Sequence, residues 1–234
     1  MTETSARIRV WDLPVRIFHW ALVGAFAGAY LLAESERQRQ IHVMLGYTVL
    51  GLVAFRLLWG FVGTRYARFG SFLYGPRRAL GYLRGMVQGN APHYTGHNPL
   101  GSWAVYAILG VAAATGITGY MTYNEIGGDA VEEVHELLAN GWLLLVGVHV
   151  AGVILSSFVH RENLVKSMVT GYKQAAAGEP SARLRPLVGV LVAVGVVGFW
   201  TYSLVTGAVP GAVAPDAGLY AQSTLEQGEE GDDD

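Results

Sequence analysis

Apolar residues in this chain come in long runs rather than in stripes. Five runs stand out, at residues 17–33, 41–62, 100–123, 131–160 and 187–207. An α-helix crosses a hydrocarbon layer with about 17 to 25 residues, so each run is long enough to span. The last of them contains neither a histidine nor a charge. Between the second and third runs, residues 63–99 are too polar to span. Within them Pro76 is placed to open a short amphipathic helix, with Ala79, Leu80, Leu83, Met86 and Val87 on one face and Arg77, Arg78 and Arg84 elsewhere. Such a helix lies in the membrane interface, the alternative being a surface loop. The pattern predicts an all-α integral membrane protein. Residues 1–173 form a four-helix transmembrane domain with an interfacial segment at 63–99. Residues 174–207 form a linker and a fifth, C-terminal transmembrane helix, and residues 208–234 form an acidic tail expected to be disordered.

Composition agrees with a membrane protein. Hydrophobic residues make up 52% of the chain and charged residues 15%, and mean hydropathy is +0.33. That is too apolar for an ordinary soluble domain. Arginine and lysine then set the orientation, because they accumulate in cytoplasmic segments. With the N-terminus inside, 14 of the 16 basic residues fall on inner segments and only Arg37 and Arg39 on outer ones. The expectation is a multi-pass protein of the bacterial cytoplasmic membrane, with its N-terminus cytoplasmic and its C-terminus periplasmic. Of the acids, only Glu3, Asp12, Glu162 and Glu179 fall inside. The outer face is therefore acidic, from Glu125 to Glu136 and again in the tail EQGEEGDDD. The opening residues MTETSARIRVWDLPVR lead into a full-length apolar run with no small-residue cleavage site, so no signal peptide is expected. Cysteine is absent. This rules out disulfides, thiolate-held iron–sulfur clusters and the thioether attachment of c-type haem.

The chemistry resides in histidines. His135 and His149 share the fourth run, fourteen residues apart. On a helix that is about 21 Å of rise, with the two side chains within about 40° of the same azimuth. One imidazole thus sits toward each side of a hydrocarbon layer about 30 Å thick. Ionisable groups inside a membrane are costly and mark functional sites, the bland alternative being polar spots in a bundle interior. His42 starts the second run at the outer side, level with His135. His19 lies at the inner end of the first run, and His149 matches it in depth more loosely. Two pairs result, His19 with His149 and His42 with His135. Two neutral imidazoles facing one another suit haem iron with both axial positions filled, a centre that favours electron transfer over oxygen chemistry. Zinc would ask for four ligands, with cysteine or carboxylate help. Gly24, Gly28, Gly46, Gly147 and Gly152 lie near these histidines and would let a flat macrocycle approach, although such spacing also serves helix packing. Arg16 and Arg56 are candidate partners for haem propionates, or else headgroup anchors. His160 is expected to be interfacial and solvated. His93 and His97 belong to HYTGHNPLG, where Asn98-Pro99 marks a helix start. They serve either that turn or, for His97, a site where a quinone headgroup exchanges protons near the inner haem.

Four segments carry a resemblance. VWDLPVRIFHW at 10–20, IHVMLGY at 41–47, YTGHNPLG at 94–101 and VHELLANGWLLLVGVHVAG at 134–152 resemble the bacterial cytochrome b561 family, close to the b-type cytochrome subunits of membrane-bound nickel–iron hydrogenases. The resemblance spans residues 7–173 and rests on the combined order and spacing of the motifs. It implies a four-helix bundle holding two haem b groups and exchanging electrons with the quinone pool. His19, His42, His135 and His149 are then the axial ligands, the positions that spacing had already reached. Trp11, Asp12, Arg16 and Trp20 match the family's opening motif and are assigned to structure, with no catalytic residue named. The fifth helix and acidic tail depart from simpler members and leave the redox partner open. The expected function is electron transfer across the bilayer between quinone and a periplasmic partner. That partner is a basic c-type cytochrome or another redox subunit steered by the acidic face. No nucleic acid is expected as a partner. The alternatives are a self-contained superoxide-oxidising quinone reductase, as seen among relatives, and a histidine-dependent metal or proton transporter.

Overall fold

All five apolar runs are helices in the computed structural model, which describes residues 6–209. A short strand β1 (Ala6–Arg9) leads into α1 (Leu13–Leu31), α2 (Arg39–Val62), α3 (Pro76–Val87), α4 (Pro99–Tyr123) and α5 (Gly128–Val159). The short α6 (Leu164–Thr170), strand β2 (Tyr172–Ala175) and α7 (Pro186–Thr206) follow. The acidic tail lies outside the described residues. Among those described, four helical segments are long and apolar enough to cross a membrane: Glu36–Val62, Pro99–Tyr123, Gly128–Val159 and Pro186–Thr206. The remaining helix of the expected five, α1, has 19 residues but is not one of the four. Pro14, Arg16 and His19 dilute its apolar content.

Helix starts follow local chemistry. Proline opens α1, α3, α4 and α7, where its missing N–H costs nothing. The Asp12 carboxylate caps α1 by accepting from Val15 N at 2.9 Å, and the Asn98 side chain caps α4 by accepting from Gly101 N at 2.7 Å. This cap-and-proline signal starts α1 at Leu13, one turn before the apolar run begins.

Helix α1 packs on α2, α2 on α4 and α4 on α5. The ring closes where α5 returns to α1. There the Phe26 and Trp142 rings lie 4.1 Å apart, and Tyr30 donates to Asn140 Oδ1 at 2.7 Å. The core runs along α1 and α2 through Phe18, Leu22, Ala25, Val49 and Leu52. Helix α7 lies outside the ring against α1 and α2. Gly189 lets α7 approach, since a Cβ there would come within 2.8 Å of Leu13 Cγ, and Trp200 Nε1 donates to Thr48 Oγ1 at 2.8 Å. Helix α5 buries only Trp142 and Ser156 of its 32 residues. Leu137, Leu144, Val148 and Phe158 along it are exposed.

Charge divides the molecule into two ends. Asp129, Glu132, Glu133 and Glu136 are exposed at the start of α5 and make one end acidic. The other end is basic and is assembled from distant parts of the chain. Strands β1 and β2 pair antiparallel, with Arg7 opposite Gln174 and Ile8 opposite Lys173. Val10 N and Trp11 N both donate to Gly171 O, at 2.8 and 3.1 Å. Asp12, 1% exposed, accepts from Trp59 Nε1 at 3.0 Å and Thr64 Oγ1 at 2.6 Å in addition to its cap bond. It therefore ties the start of α1 to the end of α2. Helix α3 forms at Pro76 as predicted, but the predicted face splits. Ala79 and Met86 are buried, while Leu80, Leu83 and Val87 are exposed. Tyr82 turns inward because its hydroxyl meets His160 Nε2 at 3.0 Å.

Replacing Asp12 tests the hub. Asp12→Ala removes a cap worth about 1 kcal/mol and two further bonds to a charged acceptor, for a loss of about 3 kcal/mol or more. Thermal unfolding in detergent should show a lower Tm for Asp12→Ala than for Asp12→Asn, which keeps an acceptor for the cap.

Candidate functional site

At the acidic end, His42 from α2 and His135 from α5 face each other with ring centroids 6.3 Å apart and planes at 86°. Each is held from behind. His42 Nδ1 lies 2.8 Å from Ala29 O in the last turn of α1, a carbonyl that also accepts from Leu32 N at 3.3 Å. His135 Nδ1 lies 3.0 Å from Thr115 O and 3.3 Å from the Thr118 hydroxyl. A carbonyl can only accept, so both Nδ1 atoms carry the proton and both Nε2 atoms keep a lone pair. This is how second-shell carbonyls orient metal-binding imidazoles. Gly119 makes room for the tether, since a Cβ there would lie 2.8 Å from His135 Cε1. A centroid separation of 6.3 Å is wide enough for a metal ion between the rings, given nitrogen–metal bonds of about 2 Å.

Toward the basic end, His19 and His149 come within electrostatic range of one another. His19 packs edge-on against Trp20 at 5.0 Å, and its Nδ1 is buried without a partner. This pair lacks the double carbonyl tether of the first. Arg16 and Arg56 stand nearby with one orphaned nitrogen each, Nε of Arg16 and Nη1 of Arg56. Arg56 is 3% exposed, with its guanidinium 4.7 Å above the Phe69 ring and within reach of the Asp12 charge. The Nη2 of Arg16 donates to Val169 O, tying α1 to α6. Buried donors without acceptors are costly, so this end is chemically incomplete without an acceptor-rich group. A Cβ at Gly24, Gly46, Gly147 or Gly152 would meet nothing within 4 Å, whereas at Gly28 it would press on Leu45 Cδ1 at 2.8 Å. Gly28 thus serves helix packing, and the other four have open space beside them. A group with a coordinating metal and carboxylate arms fits the residues present.

His97 is enclosed between Trp11 at 4.7 Å and Phe72 at 4.2 Å, with Nδ1 unpartnered. Burial first, and then the charges of Arg56, Lys173 and His149, lower its pKa to about 3. It is therefore neutral at physiological pH. The helix cap belongs to Asn98, so His97 does not serve the turn in that way. It lies in the wall of a cavity of about 820 Å³ that also reaches Arg65, Tyr66, Tyr74 and Tyr94. His93 reaches Glu162 at 3.3 Å. Burial works against ionised Glu162, yet bonds from His93 and Gln174 N and the Lys173 charge hold its pKa low. His160, expected to be solvated, is partly buried against Tyr82 and His93. Burial, then His93 and Lys173, lower its pKa. Sequence reasoning missed the carbonyls of Ala29 and Thr115, which have no side-chain signature. It also missed the buried Lys173, which pairs with Glu162 and donates to the distant Tyr94 O.

Residues 10–171 match the family described as prokaryotic cytochrome b561. The chain is also similar to several curated proteins. The probable Ni/Fe-hydrogenase B-type cytochrome subunit of Rhizobium leguminosarum bv. viciae is 26% identical over 210 residues, covering 70% of this chain and 87% of the relative. That of Azotobacter vinelandii is 26% identical over 221 residues, covering 74% and 91%. The probable Ni/Fe-hydrogenase 1 B-type cytochrome subunit of Escherichia coli K12 is 24% identical over 226 residues, covering 75% and 94%. No solved structure matches. The motifs at 10–20, 41–47, 94–101 and 134–152 all fall within the matched residues, and the chain belongs to the prokaryotic cytochrome b561 family of membrane cytochromes.

Proposed function

We propose that this chain is a dihaem b-type cytochrome that carries electrons across the bilayer, between quinone at its basic, cytoplasmic end and a redox partner at its acidic, periplasmic end. The observation that carries this reading is the geometry of His42 and His135. Two imidazoles, each held at Nδ1 by a backbone carbonyl, stand with ring centroids 6.3 Å apart, which leaves Nε2 of each as the nitrogen for a metal. When bound, haem b would supply a one-electron iron couple. His42 and His135 hold one such group, and His19 and His149 hold the second toward the opposite face. The orphaned nitrogens of Arg16 and Arg56 supply donors for propionates at the basic end. Helix α1 spans despite its polar residues, with Arg16 reaching out of the hydrocarbon to the basic end and His19 facing the bundle.

The basic residues set the orientation, since lysine and arginine collect on the cytoplasmic side. His97 is the headgroup partner for quinone, because a neutral imidazole can donate from one nitrogen and accept at the other. The hydrogenase relatives make another redox subunit the natural partner class. A basic c-type cytochrome would meet the same acidic surface.

Three measurements test this. Pyridine haemochrome counting and reduced-minus-oxidised spectra should give two haems per intact chain and one for His42→Ala or His135→Ala. Two low-spin haems retained in a folded His19→Ala/His149→Ala protein would refute the second pair. His97→Ala should slow quinone-linked turnover by about 10-fold to 100-fold, with both haem spectra unchanged. Unchanged turnover would confine His97 to packing. Asp129→Asn/Glu132→Gln/Glu133→Gln should slow electron transfer with a basic c-type cytochrome at low ionic strength and converge with the parent at high salt. Equal rates at all salt concentrations would remove the steering role.

A further inference from the structure

The cavity beside His97 adjoins a second hollow of different character. The first, about 820 Å³, has walls of Arg65, Tyr66, Phe72, Tyr94 and His97. The second, about 500 Å³, is an apolar trough between Leu57 and Phe61 of α2 and Leu109, Gly110 and Ala113 of α4. Phe61 and Gly70 border both hollows, so the polar chamber and the trough adjoin there. Leu57, Phe61 and Leu73 are exposed along the trough, on the flank of the bundle that meets hydrocarbon. Its depth comes from small residues. A Cβ added at Gly110 or Gly70 would meet nothing within 4 Å. Its inner wall is fixed, because the Phe69 ring lies against Gly60, where no Cβ would fit, and carries the Arg56 guanidinium on its face.

We propose that these two hollows bind an isoprenoid quinone lengthwise, with its ring in the polar chamber beside His97 and its tail in the trough between α2 and α4. This rests on the quinone reading above and adds the route, which is lateral entry from the bilayer. A single trough suits one tail rather than the paired chains of a phospholipid. The aromatic faces of Phe72, Tyr74 and Tyr94 suit a flat ring. Arg65, opposite Glu179 at 3.9 Å, and Arg68 also line the chamber.

The test fills the trough and leaves the chamber alone. Gly110→Leu projects into open space on α4, and Leu57→Trp closes the trough from α2 if the first variant fails to accumulate. The full-length haem-loaded protein is reduced with dithionite, and its reoxidation is followed with a decyl-tailed benzoquinone and with the tail-less parent quinone. Equilibrium binding of the tailed quinone is measured alongside. The apparent KM and Kd for the tailed quinone should rise about tenfold, as expected for losing burial of roughly two methylenes, while the tail-less quinone is unaffected. Equal effects on both quinones, or none on either, would overturn the tail assignment. Loss of co-purified phospholipid with an unchanged tailed-quinone KM would also overturn it, giving the trough to lipid. Failure of the parent protein to react with or bind either quinone would instead bring down the quinone reading itself, and this inference with it.

Discussion

An imidazole inside hydrocarbon must have something for both nitrogens, because no water is there to serve either. At His42 and His135 the protein meets half of that need with backbone. Ala29 and Thr115 each accept one Nδ1 proton, which fixes each ring and leaves its Nε2 for another partner. Much of the bundle's layout follows. Helix α1 must end beside α2 to offer Ala29, and α5 must lie against α4 to reach Thr115. Gly119 must lack a side chain for that approach. The tautomer, the helix contacts and the missing Cβ are parts of one arrangement.

The opposite end solves a different problem. Here the polar groups are many, and they are tied together across the length of the chain. Asp12 takes three donors and holds α1 to α2, and β1 lies along β2. Lys173 is buried beside Glu162, which lowers the cost of placing an ammonium group there, and it donates to Tyr94 O at 3.0 Å. This network positions the 93–98 loop, and with it His97. Of the five buried nitrogens without a partner among the described residues, those on Arg16, His19, Arg56 and His97 lie at this end, and the fifth is Trp142 Nε1 on α5. Buried polar groups are usually satisfied, so this grouping is a candidate place for a bound group.

The two ends therefore differ in kind. One is a backbone-tethered pair near an acidic surface, and the other is a polar chamber walled by Tyr66, Phe72, Tyr94 and His97. The asymmetry suits the proposed transfer of electrons between a diffusing lipid-soluble carrier and a partner outside the bilayer.

Run length and charge placement were enough to locate the helices and to sort the two ends, because hydrocarbon demands continuous apolar helices and cytoplasmic segments collect lysine and arginine. The fourteen-residue interval between His135 and His149 was likewise readable, since helical geometry converts it directly into depth and azimuth. The start of α1 was misplaced by one turn because the Asp12–Pro14 cap precedes the apolar run. The face of α3 was read from apolar periodicity, but a hydroxyl–imidazole bond turned Tyr82 inward. Other features were decided only by the tertiary structure. The β1–β2 pairing joins segments more than 160 residues apart, and four-residue strands carry no pattern of their own. The carbonyls that set the tautomers of His42 and His135 belong to residues whose side chains are irrelevant. Whether His97 caps a helix or faces a cavity depends on where Trp11 and Phe72 come to lie. Local rules act through neighbours in sequence, whereas these contacts exist only once distant parts of the chain have packed.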